Sequence, residues 1–143
     1  MIIAVDAASG ERVPFSNNGE VSLIDAVAAS AAAPGFRPPV RIGGRVYIDG
    51  GVASCANADL ATGYDRVLVI SPVASGSGPI PSVKAQVAEL EKTTRVALVV
   101  PDRASRRAMG RNPMDITRRA DAARAGRAQG TAVAAEIGKV WSQ

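Results

Sequence analysis

The sequence predicts an α/β fold with a mainly parallel sheet flanked by helices and a long C-terminal helix. Short apolar runs alternate with segments of helical periodicity, which is typical of a parallel sheet with crossover helices. The runs at residues 66–71 and 96–100 are apolar almost without interruption, as in strands buried on both faces. The segment 115–141 is rich in Ala and Arg, which favour helix, although Gly126 and Gly130 weaken it.

In the first fifty residues, four short apolar runs predict strands at residues 2–5, 12–16, 40–42 and 45–48. Between the second and third strands, Ser22 with Asp25 three residues later predicts the start of a helix that ends before Pro34. Gly43 and Gly44 join the last two strands, and a two-residue type I′ hairpin turn requires positive φ at both positions.

The remaining chain predicts helices at residues 57–62, 82–93, 102–110 and 115–141 around the two buried strands. Val83, Val87 and Leu90 recur at helical spacing in the second of these helices. A Ser-, Gly- and Pro-rich loop at residues 73–81 is the expected internal boundary. We therefore expect two parts, residues 1–72 and 73–143, the second being a helix–strand–helix extension packed on the same domain.

Composition excludes several classes of function. The chain has no histidine among its 143 residues, so a Ser-His-Asp triad and the commonest zinc sites are excluded. The single Cys55 excludes an intrachain disulfide and indicates a reducing compartment. No apolar run approaches the length of a membrane span, and Asp6 interrupts the apolar start of the chain, which makes a poor signal peptide. We expect a cytoplasmic protein, with peripheral association to a membrane as a further expectation.

The most informative motif is RVYIDGG at residues 45–51. It places the carboxylate of Asp49 at the end of an apolar strand, followed by Gly50 and Gly51, whose backbone is free to turn. A catalytic acid needs such a position, but Asp-Gly after a strand is also a common turn. Both interpretations are open on these seven residues alone.

Residues 28–71 read AASAAAPGFRPPVRIGGRVYIDGGVASCANADLATGYDRVLVIS. This order of motifs resembles the second half of the catalytic domain of bacterial patatin-like phospholipases, closely over residues 20–72 and more loosely from there on. The resemblance implies that Asp49 is the partner of a serine nucleophile in a Ser-Asp dyad, with Gly50 and Gly51 supporting it through their backbone. It also implies an acyl-ester substrate such as a phospholipid, with no cofactor and no metal.

The nucleophile half of that family pattern is missing. No serine in the chain stands in Gly-x-Ser-x-Gly, and no glycine-rich loop precedes a helix near the N-terminus. Ser75 and Ser77 come nearest, but Val73 stands where the first glycine is needed. The resemblance therefore implies an incomplete catalytic domain, residues 1–72, that is inactive alone.

Several other residues near the motif have structural interpretations. Asn57 is expected to cap a short helix and Asp59 to face solvent, while Pro34 and Gly35 form a turn. Phe36 is expected to pack on the core, with an acyl pocket as the alternative. Cys55 is expected to be a buried small apolar residue, since no histidine is present to activate it. The run at residues 76–78 resembles a phosphate loop only superficially.

Positive charge is concentrated at the C-terminus. From Arg103 onward nine basic residues face three acidic ones, for a net charge of +6, whereas the rest of the chain carries −2. We refer to eight of these residues as the arginine cluster: Arg103, Arg106, Arg107, Arg111, Arg118, Arg119, Arg124 and Arg127. A solvated helix face is the ordinary interpretation, and attraction to an anionic membrane is the functional one. Aromatic residues are scarce there, which disfavours nucleic acid as a partner.

Two functional hypotheses follow. The chain is either the C-terminal part of a patatin-like lipid acyl hydrolase or an inactive remnant that binds lipid or a partner through its basic C-terminal helix. A sheet without its first strands would expose an open edge, so we also expect self-association through that edge.

Overall fold

A computed structural model describes residues 1–73, 78, 80–112 and 115–142. Contacts divide the chain into two compact units. The first unit comprises residues 1–57 and 75–82, and the second comprises residues 58–74 and 83–143. The strand predicted at residues 66–71 therefore lies in the second unit, while a domain boundary at residue 72 stays a prediction.

The first unit contains a four-stranded antiparallel sheet in the order β2-β1-β4-β3. Its strands are β1 (Ile2–Asp6), β2 (Arg12–Phe15), β3 (Val40–Ile42) and β4 (Arg45–Asp49). The predicted hairpin turn is confirmed, because Gly43 and Gly44 have φ of 55° and 81°.

One helix covers a face of this sheet. Helix α1 (Leu23–Ser30) begins at Ser22, whose hydroxyl accepts a hydrogen bond from the Asp25 N–H at 3.1 Å, as the sequence predicts. Its Ala29 packs with Ala4 of β1 and Tyr47 of β4 in the core of the unit. Small side chains on the helix allow it to lie close to the strands, which brings the residues after α1 to the end of β4.

The second unit contains two parallel strands, β5 (Arg66–Ile70) and β6 (Arg95–Val99). Between them, helix α2 (Val83–Leu90) buries its three apolar residues at helical spacing, Val83, Val87 and Leu90, which confirms the predicted amphipathic face. Helices α3 (Arg103–Met109) and α4 (Arg119–Gly138) follow β6 and contact each other.

The α/β class and the long C-terminal helix are confirmed, but the prediction of a mainly parallel sheet is not. Among the described residues, four strands form the antiparallel sheet and two form the parallel one. The physical reason is the length of the connections: β1–β2 and β3–β4 are joined by short turns, which can link only antiparallel neighbours. Part of the predicted loop at residues 73–81, with Ser75, Ser77 and most of the glycine-rich run at 76–78, lies outside the described residues.

Helix α4 differs from an ordinary surface helix because none of its described residues is buried. It begins at Arg119, after a short 3₁₀ helix, Ile116–Arg118, that Asp115 caps. In the part of the chain described here, no helix is both apolar and long enough to cross a bilayer.

Candidate functional site

Asp49 is the last residue of β4 and lies opposite Ala4 of β1 in the sheet. Its backbone N–H donates a hydrogen bond to the carbonyl oxygen of Ala32, just beyond α1, at 3.1 Å. Alternate residues of a strand share a face, so Asp49 lies on the same face as Tyr47, the one that α1 covers. The half-buried carboxylate therefore belongs to the end of the sheet next to the C-terminal end of α1.

One carboxylate oxygen of Asp49 is held in place. Its Oδ1 accepts a hydrogen bond from the N–H of Gly51 at 2.7 Å and so caps the 3₁₀ helix Gly50–Val52. Among the described residues, this carboxylate accepts no other side-chain hydrogen bond, and no serine hydroxyl donates to it. An oriented carboxylate with a second oxygen open to an incoming donor can act as a general base.

The two glycines after Asp49 are required for space, since neither has a positive φ. Gly50 is buried, and a Cβ atom there would collide with the backbone carbonyl of Ile3 in β1. A Cβ atom at Gly51 would lie 3.0 Å from Oδ1 of Asp49, the oxygen that the Gly51 N–H binds. Gly50 thus lets the turn pack against β1, and Gly51 leaves room for the cap. The sequence identifies both glycines, but it carries no signal for Ile3 as the partner.

Asn57 has a different role from the helix cap expected of it. It adopts a left-handed backbone conformation with φ of 49°, directly before the 3₁₀ helix Ala58–Ala61. Its backbone N–H donates to Oγ of the buried Ser54 at 2.9 Å, and its side-chain oxygen accepts from Nη1 of Arg12 at 3.1 Å. Asn57 therefore ties the segment after the Asp-Gly-Gly motif to β2 within the first unit.

The other candidate residues near the motif differ in how far they are exposed. Phe36 is 70% exposed, so the expectation that it packs on the core is wrong. Cys55 forms no disulfide and is half-buried, less enclosed than expected. Asp59 is exposed, as expected, and Gly35 occupies a turn with φ of 83°. Among the described residues, the Asp49 carboxylate accepts its hydrogen bond from the N–H of Gly51 and not from any of these residues.

Helix α1 has apolar residues on its outer side as well as on the side that packs against the sheet. Leu23, Ile24 and Val27 are 71%, 81% and 51% exposed. A helix that is apolar on all sides is usually covered on all sides. This outer side of α1 is an exposed apolar surface of the first unit, and Asp49 lies beyond the helix's C-terminal end.

The arginine cluster lies in the second unit, and all eight of its residues are exposed. Two of them pair with acidic residues in the same segment: Arg124 with Asp121 at 2.6 Å and Arg118 with Asp115 at 3.9 Å. Exposed pairs of this kind contribute little to stability. With nine basic residues against three acidic ones from Arg103 onward, this part of the chain keeps a net positive charge.

Residues 3–62 match the Patatin-like phospholipase family. This segment contains α1, the Asp-Gly-Gly motif and all of the antiparallel sheet except Ile2, and it is similar to that family. The resemblance seen in the sequence is confirmed for this part of the chain. A search of curated proteins gives no match to the chain.

Proposed function

We propose that this chain supplies the acidic partner, Asp49, of a Ser-Asp dyad in a patatin-like lipid acyl hydrolase. The observation that supports the proposal is the state of the Asp49 carboxylate: the Gly51 N–H fixes Oδ1, and Oδ2 accepts no hydrogen bond among the described residues. The serine comes from outside the 143 residues, so the chain is the C-terminal part of the catalytic domain and is inactive alone.

In the proposed reaction, the serine hydroxyl donates a hydrogen bond to Oδ2 of Asp49. As the serine oxygen attacks the ester carbonyl carbon, its proton moves to the carboxylate, and the tetrahedral intermediate expels the alcohol part of the lipid after receiving that proton. Water then hydrolyses the acyl-enzyme by the same proton route. The chain contains no histidine, so a carboxylate is the base available in this segment, and the chemistry requires neither a metal nor an organic cofactor.

The backbone around Asp49 supports this role by restricting the carboxylate. Gly50 is packed against the Ile3 carbonyl, and the Asp49 N–H is bonded to Ala32, so the residue is held from both sides. A base that is already oriented loses little conformational entropy when its partner approaches. Phospholipid or another acyl ester is the proposed substrate.

The test joins this chain to its upstream half and measures hydrolysis of a short-chain acyl ester. Asp49→Asn retains a residue that caps well but removes the base, and we expect a loss of at least about a thousandfold in kcat with the fold intact. Asp102→Asn, at another capping aspartate, is the matched control and should leave kcat unchanged. Hydrolysis by the Asp49→Asn protein at the wild-type rate would contradict the assignment.

A second candidate function is favoured by the exposed arginine cluster. In this alternative the chain is a catalytically inactive remnant that binds an anionic membrane surface peripherally, at about 1 kcal/mol per basic residue near the lipid. The discriminating measurement is binding to phosphatidylserine vesicles against phosphatidylcholine vesicles. The remnant hypothesis predicts binding to the former that weakens with salt, and no hydrolysis even with the upstream half attached.

Self-association is proposed at the edge of β5 that pairs with no strand among the described residues, where Leu68 and Ile70 are 37% and 71% exposed. A strand with exposed apolar side chains and an unpaired edge is a site for pairing with a second chain. The proposed localisation is the cytoplasm, with peripheral membrane contact through the arginine cluster.

A further inference from the structure

The second unit contains a groove along the edge of β6 that β5 does not occupy. Its volume is about 430 Å³, and it lies between the strand and α4. Five consecutive residues, 96–100, line it on one side, and the apolar side chains of Val133, Ile137 and Val140 line it on the other. A run of consecutive strand residues lines a groove only where the groove follows the edge of the strand, since alternate side chains point to opposite faces.

The hydrogen bonds of the sheet show which backbone groups face this groove. The Arg95 N–H donates to the Asp65 carbonyl at 3.1 Å, and the Val99 carbonyl accepts from the Ser71 N–H at 3.0 Å. In a parallel pair, alternate residues bond to the neighbouring strand, so Arg95, Ala97 and Val99 bond to β5. The N–H and C=O groups of Val96 and Leu98 therefore point away from β5, toward the groove, without a backbone partner among the described residues.

At one end of the groove, a side chain already forms a hydrogen bond with the backbone. Nε2 of Gln129 donates to the carbonyl oxygen of Val100 at 2.8 Å, and Oε1 of Gln129 accepts from the Asp102 N–H and the Ser105 hydroxyl at 3.1 and 2.8 Å. Gln129 thus supplies at residue 100 the hydrogen bond that a neighbouring strand would supply. The outward backbone groups of β6 that remain without a partner among the described residues are those of Val96 and Leu98.

The chemistry of the groove favours polypeptide over lipid as its occupant. An acyl chain would cover the apolar side chains but would leave the polar groups of Val96 and Leu98 unbonded, which is costly in a covered site. An extended peptide offers N–H and C=O groups at the strand repeat and places alternate side chains against α4. The groove also contains the carboxylate of Glu136, which forms no ion pair among the described residues, so a cationic side chain complements it.

We propose that the groove between β6 and α4 binds an extended segment of another protein, which adds as a strand to β6 and carries a Lys or Arg opposite Glu136 among apolar residues. Main-chain hydrogen bonds to Val96 and Leu98 hold the segment, and contacts with Val133 and Ile137 select its apolar side chains. This inference concerns the second unit and does not depend on the catalytic proposal for Asp49.

The test uses the whole chain and a blocked heptapeptide of alternating Val and Thr with one central Arg, followed by NMR of the backbone amides. A strand of five residues spans about 17 Å, so a heptapeptide covers the edge of β6. We expect saturable shifts at the Val96 and Leu98 amides. Methylating the peptide nitrogens that face β6 should abolish binding, whereas methylating the alternate nitrogens should not.

Two protein variants sharpen the test. Leu98→Pro removes the Leu side chain and an outward N–H that makes no bond to β5, and it should weaken binding at least tenfold. Leu98→Ala removes most of the side chain but retains the N–H, and it should weaken binding much less. Glu136→Lys should weaken binding of the Arg peptide about threefold and favour a peptide with Glu in its place. The change of charge preference in Glu136→Lys can be measured even if Leu98→Pro does not fold.

The proposal would be overturned by equal binding of both methylated peptides, by shifts confined to residues outside 96–100, or by an unchanged charge preference in Glu136→Lys. Self-association of the unliganded chain that Leu98→Pro abolishes in sedimentation experiments would also overturn it, since the added strand would then come from a second copy. Self-association at β5 would survive that substitution.

Discussion

Two aspartates, one in each unit, have nearly the same local geometry and different surroundings. Asp49 is the last residue of β4 and accepts a hydrogen bond from the Gly51 N–H at 2.7 Å, and Asp102 follows β6 and accepts one from the Ser105 N–H at 2.7 Å. Asp102 begins a regular helix, α3, whereas Asp49 begins a three-residue 3₁₀ helix whose first residue, Gly50, packs against β1. The cap is therefore common to both, and the close approach of Gly50 to Ile3 distinguishes the candidate site.

The two units also differ in how their strands pair. In the first unit, short turns join antiparallel neighbours, and α1 covers one face of the four-stranded sheet. In the second, the two parallel strands pair with no further strand among the described residues, and Gln129 donates to the carbonyl of Val100 just beyond β6. The first unit therefore has a sheet of four strands joined mainly by local turns, and the second has a sheet of two strands on which our proposal of an added strand rests.

The largest expected effect on stability is at Gly50. Gly50→Ala places a methyl group against the backbone carbonyl of Ile3. Because neither the strand nor the turn can move aside easily, we expect the free energy of unfolding to fall by about 3 kcal/mol. The measurement is hydrogen exchange at the amides of β1 and β4. Gly51→Ala is the matched control: its methyl group meets a carboxylate oxygen that can shift, so a loss below about 1 kcal/mol is expected. Equal losses for the two variants would show that the approach to β1 is not the constraint.

In the second unit the corresponding test is Gln129→Ala. This change removes three hydrogen bonds and leaves the half-buried carbonyl of Val100 without its donor, which should cost about 2 kcal/mol. Thermal unfolding followed by circular dichroism measures it. Thr131→Ala on the same helix removes an exposed hydroxyl bond to the Arg127 carbonyl and should change little. A stable Gln129→Ala protein would mean that water replaces the side chain.

The acid sensitivity of the first unit is tested at Asp6. Hydrogen bonds from the N–H groups of Ala8 and Ser9, at 2.9 and 3.3 Å, lower the pKa of this carboxyl below its ordinary value of 3.8, and the nearby Arg45 adds to the effect. A lowered pKa in the folded state stabilises the protein above the unfolded value, and that contribution is lost as the pH falls through the folded value. Asp6→Asn should therefore show a smaller loss of stability than wild type below about pH 4 in urea titrations. An equal loss of stability with falling pH in Asp6→Asn and in the wild-type protein would contradict this.

The smallest expected effect is at Thr94, whose residue is 7% exposed and whose hydroxyl has no hydrogen-bond partner among the described residues. Replacing this hydroxyl with a methyl group in Thr94→Val removes an unsatisfied polar atom at nearly constant volume, so we expect a gain of up to about 1 kcal/mol. Chemical denaturation measures it, with the exposed Thr93→Val as the control. A loss of stability would reveal a partner for the hydroxyl.

Local features of the fold were predictable from the sequence. The Gly43-Gly44 turn, the Ser22 cap and the apolar spacing of α2 all depend on neighbouring residues, and each is confirmed. The antiparallel direction of the β1–β2 and β3–β4 pairs follows from their short turns, whereas the pairing of β1 with β4 was not predictable, since it joins residues more than forty positions apart. The exposure of Phe36 was not predictable for the same reason. Whether an aromatic residue in a loop is buried depends on the surface around it, and distant segments of the chain form that surface.

The candidate site was predictable to the same extent. The Asp-Gly-Gly pattern and its position after a strand identify Asp49, and residues 3–62 match the family. The physical need for Gly50 depends on Ile3, a residue whose sequence context gives no indication of contact. Backbone contacts between distant segments leave no signature in a single sequence, because any residue has a carbonyl group.

The central claim is that Asp49 activates a serine, and the most direct measurement is covalent labelling of that serine. The chain joined to its upstream half is treated with a fluorophosphonate, which reacts with activated serines, and the rate of labelling is followed by mass spectrometry. We expect labelling in the wild-type protein and a rate lower by at least about a thousandfold in Asp49→Asn, with Asp102→Asn unaffected. Labelling of Asp49→Asn at the wild-type rate would show that another group activates the serine.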